Sequence, residues 1–302
     1  MSADGLRVLL IGSTFPFPPR SGFETRCYHL LRQLASRHDV TLLTYATEDE
    51  LADVERLRQE LTVEVVRWDV MSRGAKRRRQ AASLASAMPF AARAVQTPEM
   101  QQAIDRLCTR PYDVVQLESI LLWGYRFPIE TRVVLDEHNV EYEVFARMRA
   151  VEVSALRKSF YRLEEKRIRT FEQSAWRRVA ACVVTSRREE HMVHEHAPDT
   201  PTAVVPNAVD LEYFQPTGLP VTPNSIVFNG VLDYRPNVDA ANWLVDEIVP
   251  LVRERCPDVQ VTIVGRGAHA ELERLRRDGV RVTGEVADLR PYLEEAAVVV
   301  VP

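Results

Sequence analysis

Short apolar runs alternate with longer stretches of helical spacing along the whole chain. Leu6–Gly12 (LRVLLIG), Val40–Tyr45, Val63–Trp68, Asp113–Glu118, Arg132–Asp136, Ala180–Thr185 and Thr202–Val205 read as strands. Helix is predicted over Gly22–Arg37, with Tyr28, Leu30, Leu31 and Leu34 on its apolar side, and over Asp49–Glu60. Val153, Leu156, Phe160, Leu163, Phe171 and Ala175 recur at steps of three and four or their sums, which predicts one long helix from Val153 to Arg178. Continuous apolar strands separated by helices imply a parallel sheet covered on both faces.

The pattern breaks over Val205–Pro223 (VPNAVDLEYFQPTGLPVTP), whose prolines and glycine are linker composition. Alternation then restarts: strand Ser225–Asn229, helix Asn237–Arg255, strand Val259–Val264, helix Ala268–Arg277, strand Val280–Thr283, helix Leu289–Ala296 and strand Val298–Val301. The expected organisation is therefore an α/β domain over 1–205, a linker over 206–224 and a smaller α/β domain over 225–302. The run Ala297–Val301 (AVVVV) predicts a strand buried on both faces, which leaves the second domain short of its expected helical cover and reads as incomplete.

Composition narrows the class. The chain has 302 residues, 46% hydrophobic and 27% charged, ordinary values for a folded globular protein of about two domains. The formal net charge of −4 argues against a nucleic-acid-coating surface, so no nucleic-acid partner is expected. No apolar run approaches the roughly 20 residues of a membrane span, and no basic n-region precedes Leu6–Ile11. Four scattered cysteines (Cys27, Cys108, Cys182 and Cys256) give neither a zinc knuckle nor a CxxC pair and fit a reducing cytoplasm.

Five segments carry candidate chemistry. Ser13–Thr25 (STFPFPPRSGFET) brings Gly22 to a helix N-terminus, where backbone N–H groups can meet a phosphate; a proline-rich connection capped by Ser21 is the plainer reading. Asp136-Glu137-His138-Asn139-Val140-Glu141 follows a strand, where α/β enzymes keep their reactive groups, and His138 can exchange a proton near neutral pH; a helix-capping cluster with Asn139 as N-cap is the alternative. Val264-Gly265-Arg266-Gly267-Ala268-His269-Ala270 imitates a G-x-G-x-x-A dinucleotide fingerprint and suggests an NAD(P)-dependent oxidoreductase, although too few strands follow to build the second mononucleotide half. Arg73–Arg79 holds a basic run beside the small-residue stretch Ala81–Ala94, which points to peripheral contact with an anionic membrane or to a solvated loop. His191, His194 and His196 look metal-like, but His196 leaves the helical face shared by the other two.

Taken together, these segments resemble glycosyltransferase family 4, the retaining nucleotide-sugar transferases of GT-B fold, and in particular bacterial exopolysaccharide-type enzymes. The resemblance rests on Thr14-Phe15-Pro16 with Ser21-Gly22, on Val134–Tyr142 around His138, and on Val205-Pro206-Asn207-Ala208-Val209-Asp210. It continues through Gly230–Ala240, Ile263–Gly267 and Val280–Asp288. It departs at Ser21, at Ala208 and at Val231, where the family usually has an arginine that Arg235 would replace. The family's Glu-x7-Glu region would follow Pro302.

The resemblance implies two Rossmann-like domains facing a cleft. The first would lie on the side of a glycan or lipid-linked acceptor, through Phe15, Glu24, Glu118 and Asn139. The second would hold the nucleotide diphosphate sugar. It implies His138 as the catalytic residue, Gly22, Gly230, Arg235, Arg266, Gly284 and Val286 around donor and phosphates, and neither cofactor nor metal, since arginines can neutralise a diphosphate. It also implies polysaccharide biosynthesis at the inner face of the membrane. An inactive acceptor-binding or scaffold protein is a third class of reading.

Overall fold

The structure is a computed structural model and describes residues 5–68, 86–267 and 273–302. The chain divides into two compact units, Met1–Ala208 and Val209–Pro302.

In the first unit, β1 (Arg7–Gly12), β2 (Asp39–Ala46), β3 (Thr62–Arg67), β4 (Val114–Leu117), β5 (Val133–Glu137), β6 (Ala181–Val184) and β7 (Thr202–Val204) form one parallel sheet in the order β3-β2-β1-β4-β5-β6-β7. Neighbours on β1 point to opposite faces and seed two separate cores. Val8 and Leu10 pack with Leu42, Leu31 of α1 (Gly22–Ala35), and Val54 and Leu57 of α2 (Leu51–Leu57). Leu9 and Ile11 pack on the other side with Leu43, with α4 (Pro98–Leu107), which follows the short α3 (Phe90–Val95) and precedes β4, and with α5 (Glu141–Val151) and α6 (Ala155–Trp176) following β5. Met100, Ile104, Ile168 and Trp176 fill that second core. Helix α7 (Arg187–His196) links β6 to β7.

The second unit has strands β8 (Thr222–Asn229), β9 (Gln260–Val264), β10 (Val280–Gly284) and β11 (Ala296–Val299), parallel in the order β10-β9-β8-β11. Its core is built from Ile226, Phe228, Leu244, Val249, Val261, Ile263 and Val282. The helix predicted over Asn237–Arg255 runs instead as α8 (Arg235–Trp243), a π-helical turn Leu244–Ile248 and α9 (Val249–Arg253). Pro250 cannot donate a backbone hydrogen bond to the preceding turn, and the wide turn absorbs the break. The short α10 (Arg290–Glu294) precedes β11.

β11 pairs only with β8, at the sheet edge, and Val298 and Val299 are 52% and 45% exposed, the apolar exposure expected of this run without its helical cover. Two expectations need correction. The long helix starts at Ala155, and Val153 and Leu156 lie at an exposed tip instead of continuing its apolar stripe. Asn139 is exposed, and Val140 is the residue that precedes the first turn of α5. The basic run Arg73–Arg79, part of Ala81–Ala94 and the start of the helix predicted from Ala268 lie outside the described residues.

Candidate active site at the carboxyl ends of the first sheet

The strand order reverses between β1 and β4, and parallel sheets open a crevice at the carboxyl ends of strands at such a switch. Glu118 is the first residue past β4. Its backbone N–H is held by the Ile11 carbonyl, and its carboxylate accepts from Gln116 Nε2 at 2.7 Å. Asp136 and Glu137 end β5, so they point to opposite faces of the sheet, and His138 returns to the face of Asp136.

His138 Nε2 lies 3.3 Å from Glu118 Oε2, 3.9 Å from Asp136 Oδ2 and 3.9 Å from Cys27 Sγ. The Phe23 ring covers the imidazole at a centroid distance of 4.5 Å. Phe23, Arg26 and Cys27 belong to the first turns of α1, which is capped by Ser21 accepting from the Glu24 N–H.

Arg26 is the hub of the cluster. Its Nη2 donates to both Asp136 oxygens at 2.9 and 3.2 Å, and its Nη1 donates to the Val205 carbonyl at 2.7 Å and to Asn207 Oδ1 at 3.4 Å. Side-chain exposure is 5% for Arg26 and 0% for Asp136, so water scarcely screens the pair. Burial and the neighbouring Glu118 carboxylate push Asp136 up to about 6, against the pull of His138 and Arg26. Burial, then Glu118, pushes the Cys27 thiol far up. The ligand atoms of Cys27, Glu118 and His138 lie within 4.8 Å of one another, but the thiol is held protonated among carboxylates, the opposite of a preformed thiolate ligand.

On the opposite face, Glu137 is buried against Glu172 of α6, and burial followed by Glu172 holds its carboxyl well above the usual range. Burial pushes Glu172 up to about 8, although it accepts the N–H groups of Glu141 and Tyr142 at 2.6 and 3.0 Å. Neither Glu137 oxygen has a donor when both carboxyls are ionised. Burial and mutual proximity thus favour protonation of the Glu137–Glu172 pair, and Glu172 anchors the N-terminus of α5, directly after His138.

The structure thus brings Glu118 and His138 together with the helix turn that Gly22 opens. Gly22 is exposed, and a Cβ there would meet nothing within 4 Å, so its backbone is open to an incoming group. Phe15 is only 2% exposed and packs in the core, Glu24 accepts from the Arg20 N–H, and Asn139 points to solvent. Arg26, Cys27 and Phe23 escaped the sequence reading. Their signal was present: a cation on the same helical stripe as Cys27 and Leu30 has to be neutralised when that stripe is buried.

In the second unit Gly230 follows β8 and Arg235 opens α8, where Asn237 Nδ2 donates to the Val231 carbonyl at 3.0 Å. Gly265 has φ +152°, and a Cβ there would overlap the Gly230 carbonyl oxygen; one at Gly267 would sit 2.6 Å from the Leu232 Cβ. The glycines of the apparent dinucleotide fingerprint therefore serve the close approach of two backbone segments. Arg266, between them, has a buried Nε with no partner among the described residues. Gly284 ends β10 in the left-handed region (φ +74°) with open space at its Cβ position, and Val286 is half-buried. The three histidines of α7 do not converge: His194 meets Thr202 at 3.1 Å and His196 stacks on Trp176.

Comparison with solved structures places this architecture. Sucrose-phosphate synthase from Thermosynechococcus elongatus superposes with a TM-score of 0.65 at 16% identity, over 98% of this chain and 75% of the other. TarM from Staphylococcus aureus, in a complex with Fondaparinux, alpha-GlcNAc-glycerol and UDP, gives 0.61 at 7% identity, over 97% and 80%. The UDP-GlcNAc 2-epimerase of Methanocaldococcus jannaschii gives 0.52 at 12% identity, over 97% and 77%, so the fold alone does not choose the chemistry. No curated protein sequence matches the chain. Residues 223–302 match the model described as glycosyl transferases group 1, and residues 20–213, most of the chain, match Glycosyltransferase Family 4. The chain belongs to glycosyltransferase family 4 and has the GT-B fold.

Proposed function

We propose that the protein transfers a sugar from a nucleotide diphosphate sugar to a hydroxyl of a glycan or lipid-linked acceptor, with retention at the anomeric carbon, in the assembly of a polysaccharide. The observation that carries the reading is the His138–Glu118–Asp136–Arg26 cluster at the switch point of the first sheet, in a chain of this family. His138 donates Nε2–H to Glu118, which in a neutral imidazole leaves Nδ1 to accept from a sugar hydroxyl. Arg26 and Asp136 hold the end of β5 against α1, so the imidazole is fixed before substrate arrives. The bond from the anomeric carbon to the diphosphate breaks as the acceptor oxygen attacks from the same face, and the acceptor hydroxyl's proton passes to the departing phosphate oxygen. Negative charge grows on the leaving diphosphate, and the open N–H groups at Gly22, with Arg235 and Arg266, are the donors proposed to receive it. Backbone at Gly284 and Val286 is proposed to meet the base, with Gly230 beside the phosphates. The site is cytoplasmic in this scheme, and the Arg73–Arg79 run adds attraction to an anionic leaflet.

Calorimetry with UDP, GDP and NADH separates this reading from its rivals. Binding of a nucleoside diphosphate without NADH binding is expected, and NADH binding alone would overturn the proposal. Proton NMR of the first product formed from an α-linked donor should show an α-linkage; a β-linked product would remove retention.

A further inference from the structure

We infer that the hairpin formed by α5 and α6 is a docking surface for a bilayer leaflet carrying anionic headgroups, distinct from the Arg73–Arg79 run. Three observations carry the inference. The apolar side chains at the hairpin tip face water: Val151, Val153 and Leu156 are 62%, 97% and 83% exposed. The tip is a built turn, because buried Glu152 accepts the N–H groups of Val153 and Ser154 at 3.0 Å each, turning the acid inward and the valine outward.

Charge is sorted in the same sense. Over residues 141–170 the exposed charged side chains are Arg147, Arg157, Lys158, Arg162, Lys166 and Arg169, with no exposed acid among them. Lys158, Arg162 and Lys166 fall at steps of four on one exposed stripe of α6, while Arg169 is drawn to Glu165 and the Tyr142 ring. Four acids of the hairpin are spent locally. Glu164 binds the Phe90 N–H and Arg167, Glu172 binds the N-terminus of α5, Glu143 pairs with Arg188, and Glu165 is covered by Arg149 and Arg169. On a chain of net charge −4, an all-cationic face ending in an apolar tip is a local departure.

An apolar tip that enters a headgroup region beneath a cationic stripe fits a lipid surface. A nucleic acid would be met by the cations but gains nothing from exposed valine and leucine, and the face lacks exposed aromatics for base stacking. The inference is independent of which sugar is transferred, and a membrane is where a lipid-linked acceptor would be found.

The test uses the full chain and sedimentation with phosphatidylcholine vesicles, with and without phosphatidylglycerol. Wild type should bind only the anionic vesicles, and added salt should weaken binding steeply. Lys158→Gln with Arg162→Gln and Lys166→Gln should weaken partitioning by roughly 100-fold at low salt, since each cation near an anionic surface is worth about fivefold. Val153→Asp with Leu156→Asp should abolish the part of binding that survives high salt. Replacing Lys76, Arg77, Arg78 and Arg79 by Gln serves as the comparison. The inference fails if only that replacement releases the protein, if the hairpin variants bind like wild type, or if wild type ignores the anionic lipid. Single-stranded RNA that binds as tightly as the vesicles, and displaces them, would also overturn it. All the substituted hairpin residues are exposed, so unchanged circular dichroism and melting confirm that the readout is binding.

Discussion

Arg26 joins three stretches of sequence that no local pattern connects: α1, the end of β5 and the Val205–Asn207 segment. Removing one partner of a buried ion pair strands the other charge. Arg26→Ala is therefore expected to destabilise the first unit by about 3–5 kcal/mol, and Asp136→Asn somewhat less because it keeps an acceptor. Denaturant midpoints at fixed pH measure both. The buried Glu137–Glu172 pair sets a pH dependence of its own. Both carboxyls are raised in the folded state, so the folded chain retains protons that the unfolded chain has lost. That contribution is complete below the ordinary glutamate range, near pH 4.5, and is lost as pH rises through about 8. One retained proton gives a slope of at most about 1.4 kcal/mol per pH unit over that window. Glu137→Gln should flatten the slope relative to wild type, and equal slopes would show that the pair shares no proton.

At the scale of elements, the parallel strands and α1 were legible because a strand buried on both faces is continuously apolar and Ser21 supplies its helix cap. Helices α3 and α5 were not, because their caps come from outside their own sequence: Glu164 caps α3 and Glu172 caps α5, both from α6. Helix α4 was missed although it carries a local signal, Thr97 accepting from the Met100 N–H with Pro98 in the first turn. The buried acids of α6 stayed hidden because apolar periodicity reads a glutamate as an outward position. In the second unit, the Gly265–Gly230 approach is a steric requirement that looked like a cofactor motif. Gly265→Ala adds a Cβ where the Gly230 carbonyl sits, at positive φ, so this unit should lose cooperative melting or fall in Tm by several degrees; calorimetry reads it. Gly22→Ala is the contrast. With open space at its Cβ, stability should change by less than about 1 kcal/mol, while nucleoside diphosphate affinity falls.

For the whole molecule, each unit carries a core of its own, one beneath each face of the seven-stranded sheet and one in the four-stranded unit. The fragment 1–208 is accordingly expected to fold alone with a single cooperative transition, and scanning calorimetry of the full chain should resolve a second component. Among the described residues, no helix is long and apolar enough to cross a membrane. Family and fold class were legible because the motifs occur in family order from Thr14 to Asp288. The arrangement of charge inside the site was not, because Arg26, Glu118 and His138 meet only through the strand order β1-β4-β5.

Whether this cluster serves glycosyl transfer is tested most directly by the turnover of the His138→Ala variant. Release of nucleoside diphosphate from a panel of nucleotide sugars, with a candidate acceptor present, should identify a donor for wild type. With that donor, His138→Ala should lower kcat by roughly two to four decades while melting stays close to wild type, the range for a positioned polar or acid–base group. Equal turnover by wild type and His138→Ala would contradict the account.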